Sequence, residues 1–379
     1  MKIAVPKEAR EGERRVALVP ESCKKLTGKG LEIELEAGAG GASFFSDEAY
    51  TAAGATIAVD SAGLLGSADL VLMVQPPAIE QVQKMREGAM LLTTLTPTRN
   101  LEVVRALVGR KISAFATDAI PRTTRAQAMD TLSSMANIAG YKAVLLAANE
   151  LAKYFPMFMT AAGTIFSAKV FVIGAGVAGL QAIATARRLG GTVVATDTRS
   201  SVAEQIASLG AKFVGVTGEE DAETAGGYAK ELSEAFYRKQ AELIAEQCAG
   251  NDVVITTALI GGVTAPTLIT EEMVRGMQPG SVIVDLAATA GGNCALTEPG
   301  KTVIKHGVKI CAPLNLPSEM PLHGSTLYSR NLTNFVLEFW KEGQFDLDLE
   351  DEIIVGALIT HAGEVRHEAT AEALAGSEG

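Results

Sequence analysis

The chain has few of the residues that build most metal and acid–base sites. Its 379 residues include only four cysteines and four histidines. Cys23, Cys248, Cys294 and Cys311 are scattered without C-x-x-C spacing, which excludes a zinc-ribbon or thioredoxin-like motif and leaves reduced core thiols of a cytosolic chain. Positive charge is also short: 33 Lys and Arg against 44 Asp and Glu give a net charge of −11. No basic stripe is present, so no nucleic-acid partner is expected. Although 47% of the residues are hydrophobic, the most apolar region, 141–196, is broken by Lys142, Glu150, Lys153 and Lys169. No membrane-spanning helix is therefore expected. The opening MKIAVPKEAR has no hydrophobic core followed by a cleavage site, so no export signal is expected either. G-x-S-x-G, H-E-x-x-H and Walker motifs are absent, which removes the common hydrolase and NTPase signatures.

What is present centres on residues 169–197, KVFVIGAGVAGLQAIATARRLGGTVVATD. After Lys169 the first residues are apolar, as in a strand buried on both faces. Gly174, Gly176 and Gly179, with Ala175 and Val177 between them, follow in G-x-G-x-x-G spacing and lead into an Ala- and Leu-rich helix. At this spacing the glycines serve a tight turn, close approach of backbone to a pyrophosphate, and close packing of helix on strand. The helix N-terminus adds free N–H groups and a positive dipole end. Asp197 ends the next apolar run, 23 residues after Gly174, and is followed by Thr198 and Arg199. Its carboxylate can accept from both ribose hydroxyls of an adenosine and would repel a 2′-phosphate, so NAD(H) is favoured over NADP(H). The alternative at this level is a glycine-rich turn with a structural Asp.

The rest of the chain alternates short apolar runs with helical segments, which implies an α/β architecture with parallel, doubly wound sheets. Strands are expected at 2–6, 31–38, 57–59, 69–74, 89–95 and 111–118, with helices between them. PRTTRAQAMD (121–130) reads as irregular, and a long helix is expected from 133 or 134 to about 154, stopped by Pro156. Beyond Asp197 the acidic stretch GEEDAETAGGYAKE reads as a mobile surface loop. Further strands are expected at 252–259, whose last residues Ala258 and Leu259 are candidate cofactor contacts, and at 281–287, 302–307 and 308–313. A second long helix is expected over 325–340, with the last 39 residues folding back onto the first domain. The expectation is two Rossmann-like domains joined by two long helices, 1–133 plus 325–379 and 134–324, with NAD(H) in the cleft between them.

Arg122, Gln127, Asp130 and Ser133 place a cation, an amide, a carboxylate and a hydroxyl within 12 residues at that seam. The amide or hydroxyl can hold a nicotinamide carboxamide while Arg and Asp pair to fix the loop; composition alone favours a solvated charged turn with Ser133 as helix cap. Tyr228, beside Gly226 and Gly227, is either an aromatic flap over a cofactor or a merely exposed loop residue. His306, His323, His361 and His367 have no companion Asp or Cys at motif spacing and read as structural. A dinucleotide-binding chain without visible proton-transfer groups suits one redox reaction in particular. Hydride passing from one nicotinamide ring to another needs orientation and exclusion of water, and no protein acid or base.

The segments KIAVPKEAREGERRVALVP, PRTTRAQAMDTLSS, NIAGYKAV, VFVIGAGVAGLQAIATARRLG, ETAGGYAKE and GGNCALTEPGK resemble the NAD(H)-binding domain I of proton-translocating NAD(P) transhydrogenase. The likeness runs over nearly the whole chain and is weakest in the last 60 residues. It implies that Arg122, Gln127, Asp130 and Ser133 surround the NAD(H) nicotinamide, with Gln127 also approaching NADP(H) on a partner. It further implies that Asp197 holds the adenosine ribose and that Tyr228 rides a mobile loop. Leu232 stands where that family usually has Met. The resemblance also implies a homodimer that docks with a separate NADP(H)-binding component. A membrane-spanning, proton-conducting component would then hold the chain peripherally at the cytoplasmic face of the inner membrane. Alanine dehydrogenase is similar over the same length, but it would need a Lys near 75 and a His near 96, where this chain has Gln75 and Thr96. Arg15, which binds a substrate carboxylate in that relative, is retained.

Overall fold

The computed structural model describes residues 1–216, 233–259 and 264–377. They form two units, 1–135 with 317–379, and 136–316.

In the first unit six parallel strands run in the order Thr56–Ala58, Glu32–Glu36, Lys2–Val5, Leu70–Leu72, Met90–Thr93, Ser113–Ala116. The central strands LVL and SAFA are buried at every position because helices cover both faces, whereas Glu32–Glu36 buries only alternate residues. One face packs on Tyr328, Phe335 and Phe339 of the helix Pro321–Phe339, the other on Leu64, Leu65, Val82 and Leu107. The chain end returns to this sheet: Leu358–His361 pairs antiparallel with Ser113–Ala116, and Glu364–Val365 pairs antiparallel with Leu358–His361.

In the second unit the order is Lys212–Phe213, Thr192–Thr196, Lys169–Ile173, Val253–Thr256, Val282–Asp285, Val308–Cys311, Thr302–Lys305. Strand order reverses between Lys169–Ile173 and Val253–Thr256, and open α/β sheets bind ligands at the carboxyl ends flanking such a switch point. Thr302–Lys305 departs from the parallel pattern. Only His306 (φ +52°) and Gly307 (φ +79°) separate it from Val308–Cys311, a turn too short for a parallel crossover.

The helices depart from expectation at their ends. The first long helix is Thr131–Glu150, beginning before Ser133 and stopping short of 154. The second begins at Pro321, whose fixed φ suits the first helical position, and not at 325. An unexpected hairpin, Phe158–Thr160 with Gly163–Ile165, has every strand residue exposed. Among the described residues no helix is long and apolar enough to cross a membrane, and no group of three His, Cys, Asp or Glu is placed to hold a metal. All four cysteines are free and buried.

Candidate functional site

The glycine turn sits at the switch point of the second sheet. Gly174 has φ +95°, a conformation that a side chain strains. A Cβ on Gly179 would stand 1.8 Å from the Gly174 carbonyl oxygen, so only glycine lets the helix Val177–Arg188 pack this close. The cap residue Gly176 offers no side chain to the first turn, and nothing lies within 4 Å of where its Cβ would be. Uncapped N–H groups beside open space are what a pyrophosphate needs, so the turn fits a dinucleotide. Thr257 locks the turn by donating to the carbonyls of Ile173 and Gly174, both at 3.2 Å. Sequence reasoning missed it; its signal is the hydroxyl pair closing the run DVVITTAL.

Asp197 lies one residue past Thr192–Thr196 and accepts the Ala175 N–H at 2.7 Å, tying the second strand's tip to the glycine turn. Burial acts to raise its carboxyl, but hydrogen bonds from Arg199 and the Ala175 N–H outweigh it and hold the group below the usual carboxylate range. Thr198 is half-buried beside it. Val177, Ala258 and Leu259 complete this set; Val177 and Leu259 present exposed apolar side chains at the same end of the sheet.

Arg122, Gln127, Asp130 and Ser133 line one cavity of about 310 Å³ in the first unit, together with Thr117 and Ile120. Asp130, not Ser133, is the helix cap: Oδ1 accepts the Ser133 N–H at 2.8 Å and Oδ2 its hydroxyl at 2.5 Å. That earlier cap is why the helix starts at Thr131. The loop is fixed from outside through Arg125. Arg125 bonds to Glu338 (3.2 Å) and Asp351, and the Asn331 and Asn334 amides donate to the Ala128 carbonyl at 2.9 and 3.0 Å. No local sequence signal announces these contacts. The Thr123 hydroxyl, on the cavity wall, is buried without a hydrogen-bond partner and so offers a polar group to a ligand. Tyr228 and Leu232 lie outside the described residues.

Arg15 is buried, and its guanidinium grips Glu13 through Nε (2.8 Å) and Nη2 (2.7 Å). Gln75 Nε2 donates to the same carboxylate at 2.8 Å. The planar fork of Arg15 is thus matched to an internal carboxylate.

Two family profiles match the chain: Alanine dehydrogenase/PNT, N-terminal domain, over residues 4–139, and Alanine dehydrogenase/PNT, C-terminal domain, over 143–368. An NAD(P) transhydrogenase subunit alpha polypeptide of Rhodospirillum rubrum is 52% identical, covering 97% of this chain and 98% of that one. The crystal structure of transhydrogenase from Sinorhizobium meliloti superimposes with a TM-score of 0.88 at 44% identity, covering 96% of this chain and all of that one. Alanine dehydrogenase of Bacillus subtilis is more distant, 31% identical over 99% of this chain and 95% of its own length.

Proposed function

Because the chain belongs to the alanine dehydrogenase/PNT family, and within it to the NAD(P) transhydrogenase alpha subunits, we propose that it aims a bound NAD(H) at NADP(H) carried by a partner subunit. Hydride crosses directly between the two rings, coupled to proton passage through a separate membrane-spanning component. The chain works as a homodimer, held through its partners at the cytoplasmic face of the inner membrane.

The observation that carries this reading is the Asp197 carboxylate clamped onto the glycine turn through Ala175. When bound, NADH supplies the hydride. The first-turn N–H groups of Val177–Arg188 hold the pyrophosphate, and Asp197 takes the ribose hydroxyls. The Gln127 amide and the Ser133 hydroxyl orient the carboxamide, with Asp130 fixing the Ser133 rotamer and Arg122 completing the wall. None of these groups has to release or take up a proton, since the reaction asks only for ring orientation and exclusion of water.

The test mixes the purified chain with the NADP(H)-binding component of a transhydrogenase and follows reduction of an NADP analogue by NADH. Turnover only when both proteins are present is the expected result. Oxidation of alanine or reduction of pyruvate by the chain alone would replace this reading with an amino-acid dehydrogenase. NADH binding without any hydride exchange would make the chain a silent sensor.

A further inference from the structure

Asp285 ends the strand Val282–Asp285, is fully buried, and gathers five hydrogen bonds. Its Oδ1 accepts from the Thr256 hydroxyl (3.0 Å) and the Ala287 N–H (3.0 Å). Its Oδ2 accepts from the N–H groups of Asn293 (2.8 Å) and Cys294 (3.0 Å) and from the Thr297 hydroxyl (2.6 Å). The chain can curl onto this carboxylate because Gly291 and Gly292 take φ values of +102° and +93°. A Cβ on Gly292 would also stand 2.6 Å from Asp285 Oδ2.

Anchored this way, the Asn293 side chain, itself fully buried, reaches Ala258, two residues past the neighbouring strand Val253–Thr256. Its Oδ1 accepts the Ala258 N–H at 3.1 Å, while Nδ2 donates to the carbonyls of Ala258 and Pro266, both at 2.9 Å. One amide thus satisfies both backbone groups of Ala258 and ties it to Pro266. Carboxamides alone among side chains offer an acceptor and two donors in this fork; Asp lacks the donors and Ser has only one.

We infer that Asn293 is a positioning residue for Ala258 and Leu259 at the switch point, with Asp285 as its anchor. It acts through the Ala258 backbone and shapes the wall against which NAD(H) lies. The inference rests on the reading that Ala258 and Leu259 face the cofactor.

Three variants of the full chain test it, with NADH dissociation constants from fluorescence titration, thermal midpoints, and partner-dependent hydride transfer at saturating NADH. N293A and N293D each remove both donors, and each is expected to weaken NADH binding about tenfold, as the loss of buried hydrogen bonds warrants, while transfer at saturation holds within about threefold. T297V takes one donor from Asp285 but leaves the Asn293 bonds to Ala258 in place. It is expected to lower the thermal midpoint and leave NADH affinity unchanged. Should N293A fail to fold, N293D, of the same shape, decides alone. Unaltered NADH affinity in the Asn293 variants overturns the inference, as does a T297V whose affinity falls in step with its stability. A wild-type chain that does not bind NADH overturns the underlying reading instead, and the two failures are told apart by that single titration.

Discussion

Arg199 donates three hydrogen bonds to Asp197, from its backbone N–H and Nε to Oδ1 (both 2.9 Å) and from Nη2 to Oδ2 (3.0 Å). With the Ala175 N–H on Oδ2, the roughly four lone-pair sites of the carboxylate are all engaged. Ribose hydroxyls could bond to Asp197 only where the guanidinium gives way, so on the proposed reading Arg199 competes with the ribose for this carboxylate. Asp197→Ala removes the acceptor and leaves a cation where a 2′-phosphate would sit. NADH affinity is expected to fall and NADPH affinity to rise, narrowing the preference by about tenfold or more, the scale of one charge-assisted contact. Titrations that leave the NADH-to-NADPH ratio of D197A at the wild-type value would remove Asp197 from the ribose site.

The cavity loop separates structural from functional roles. Gln127 is exposed and its side chain supports nothing in the fold, whereas Asp130 caps a helix. Gln127→Ala is expected to slow hydride transfer at least about tenfold, as loss of an orienting contact does, with an unchanged thermal midpoint. Asp130→Ala should slow transfer too, and also cost about 1 kcal/mol of stability through the lost cap. A Q127A variant with full transfer rate would take the loop out of the site.

How much of this is legible in the chain depends on how local the cause is. The parallel strands can be read because burial on both faces leaves apolar runs such as LVL and VIVD. The glycine turn can be read because its steric demands lie within six residues. The direction of Thr302–Lys305 is harder, since an edge strand's sequence looks the same either way and only the turn at His306 and Gly307 decides it. Asp130 and Ser133 are both acceptable caps. Choosing between them depends on a loop held by Asn331, 203 residues from the Ala128 carbonyl it binds, and no local pattern contains that. The Asn293 clamp is hidden for the same reason, because its meaning lies in a strand neighbour and not in its own segment.

The hairpin Phe158–Thr160 with Gly163–Ile165 bears on assembly. Met159 and Phe166 are 81% and 76% exposed, and Tyr154, Met157 and Ile165 stand beside them in the sequence. Soluble proteins rarely leave such a run of large apolar side chains in water without a partner surface to cover it. On the homodimer reading, a second copy covers it. The double variant M159D/F166D is expected to run at monomer mass in light scattering while its NADH affinity stays within about twofold, since neither residue touches the glycine turn. A double variant that remains dimeric would move the interface elsewhere.

Two carboxylates of the first unit are driven in opposite directions by one arginine and by burial. Glu8 accepts the Val74 and Gln75 N–H groups at 2.6 and 3.1 Å. Burial nevertheless pushes its carboxyl from 4.5 up to about 7, helped by the negative charge of Glu13. For Glu13, burial is outweighed by the hydrogen bonds and charge of Arg15, and its carboxyl falls to about 2. Between pH 4.5 and 7 the folded chain therefore holds a proton on Glu8 that the unfolded chain has released, so this group makes stability decline as pH rises through that window. The slope is at most about 1.4 kcal/mol per pH unit. Glu13 contributes the reverse: its stabilisation is complete above 4.5 and is lost as pH falls toward 2. Glu8→Gln cannot ionise, so urea midpoints of E8Q should stay nearly level from pH 5 to 7 where those of the wild type decline, with the curves converging below pH 5. Parallel curves across pH 5–8 would mean that Glu8 is already ionised in the folded protein and that the two backbone N–H groups, not burial, govern it.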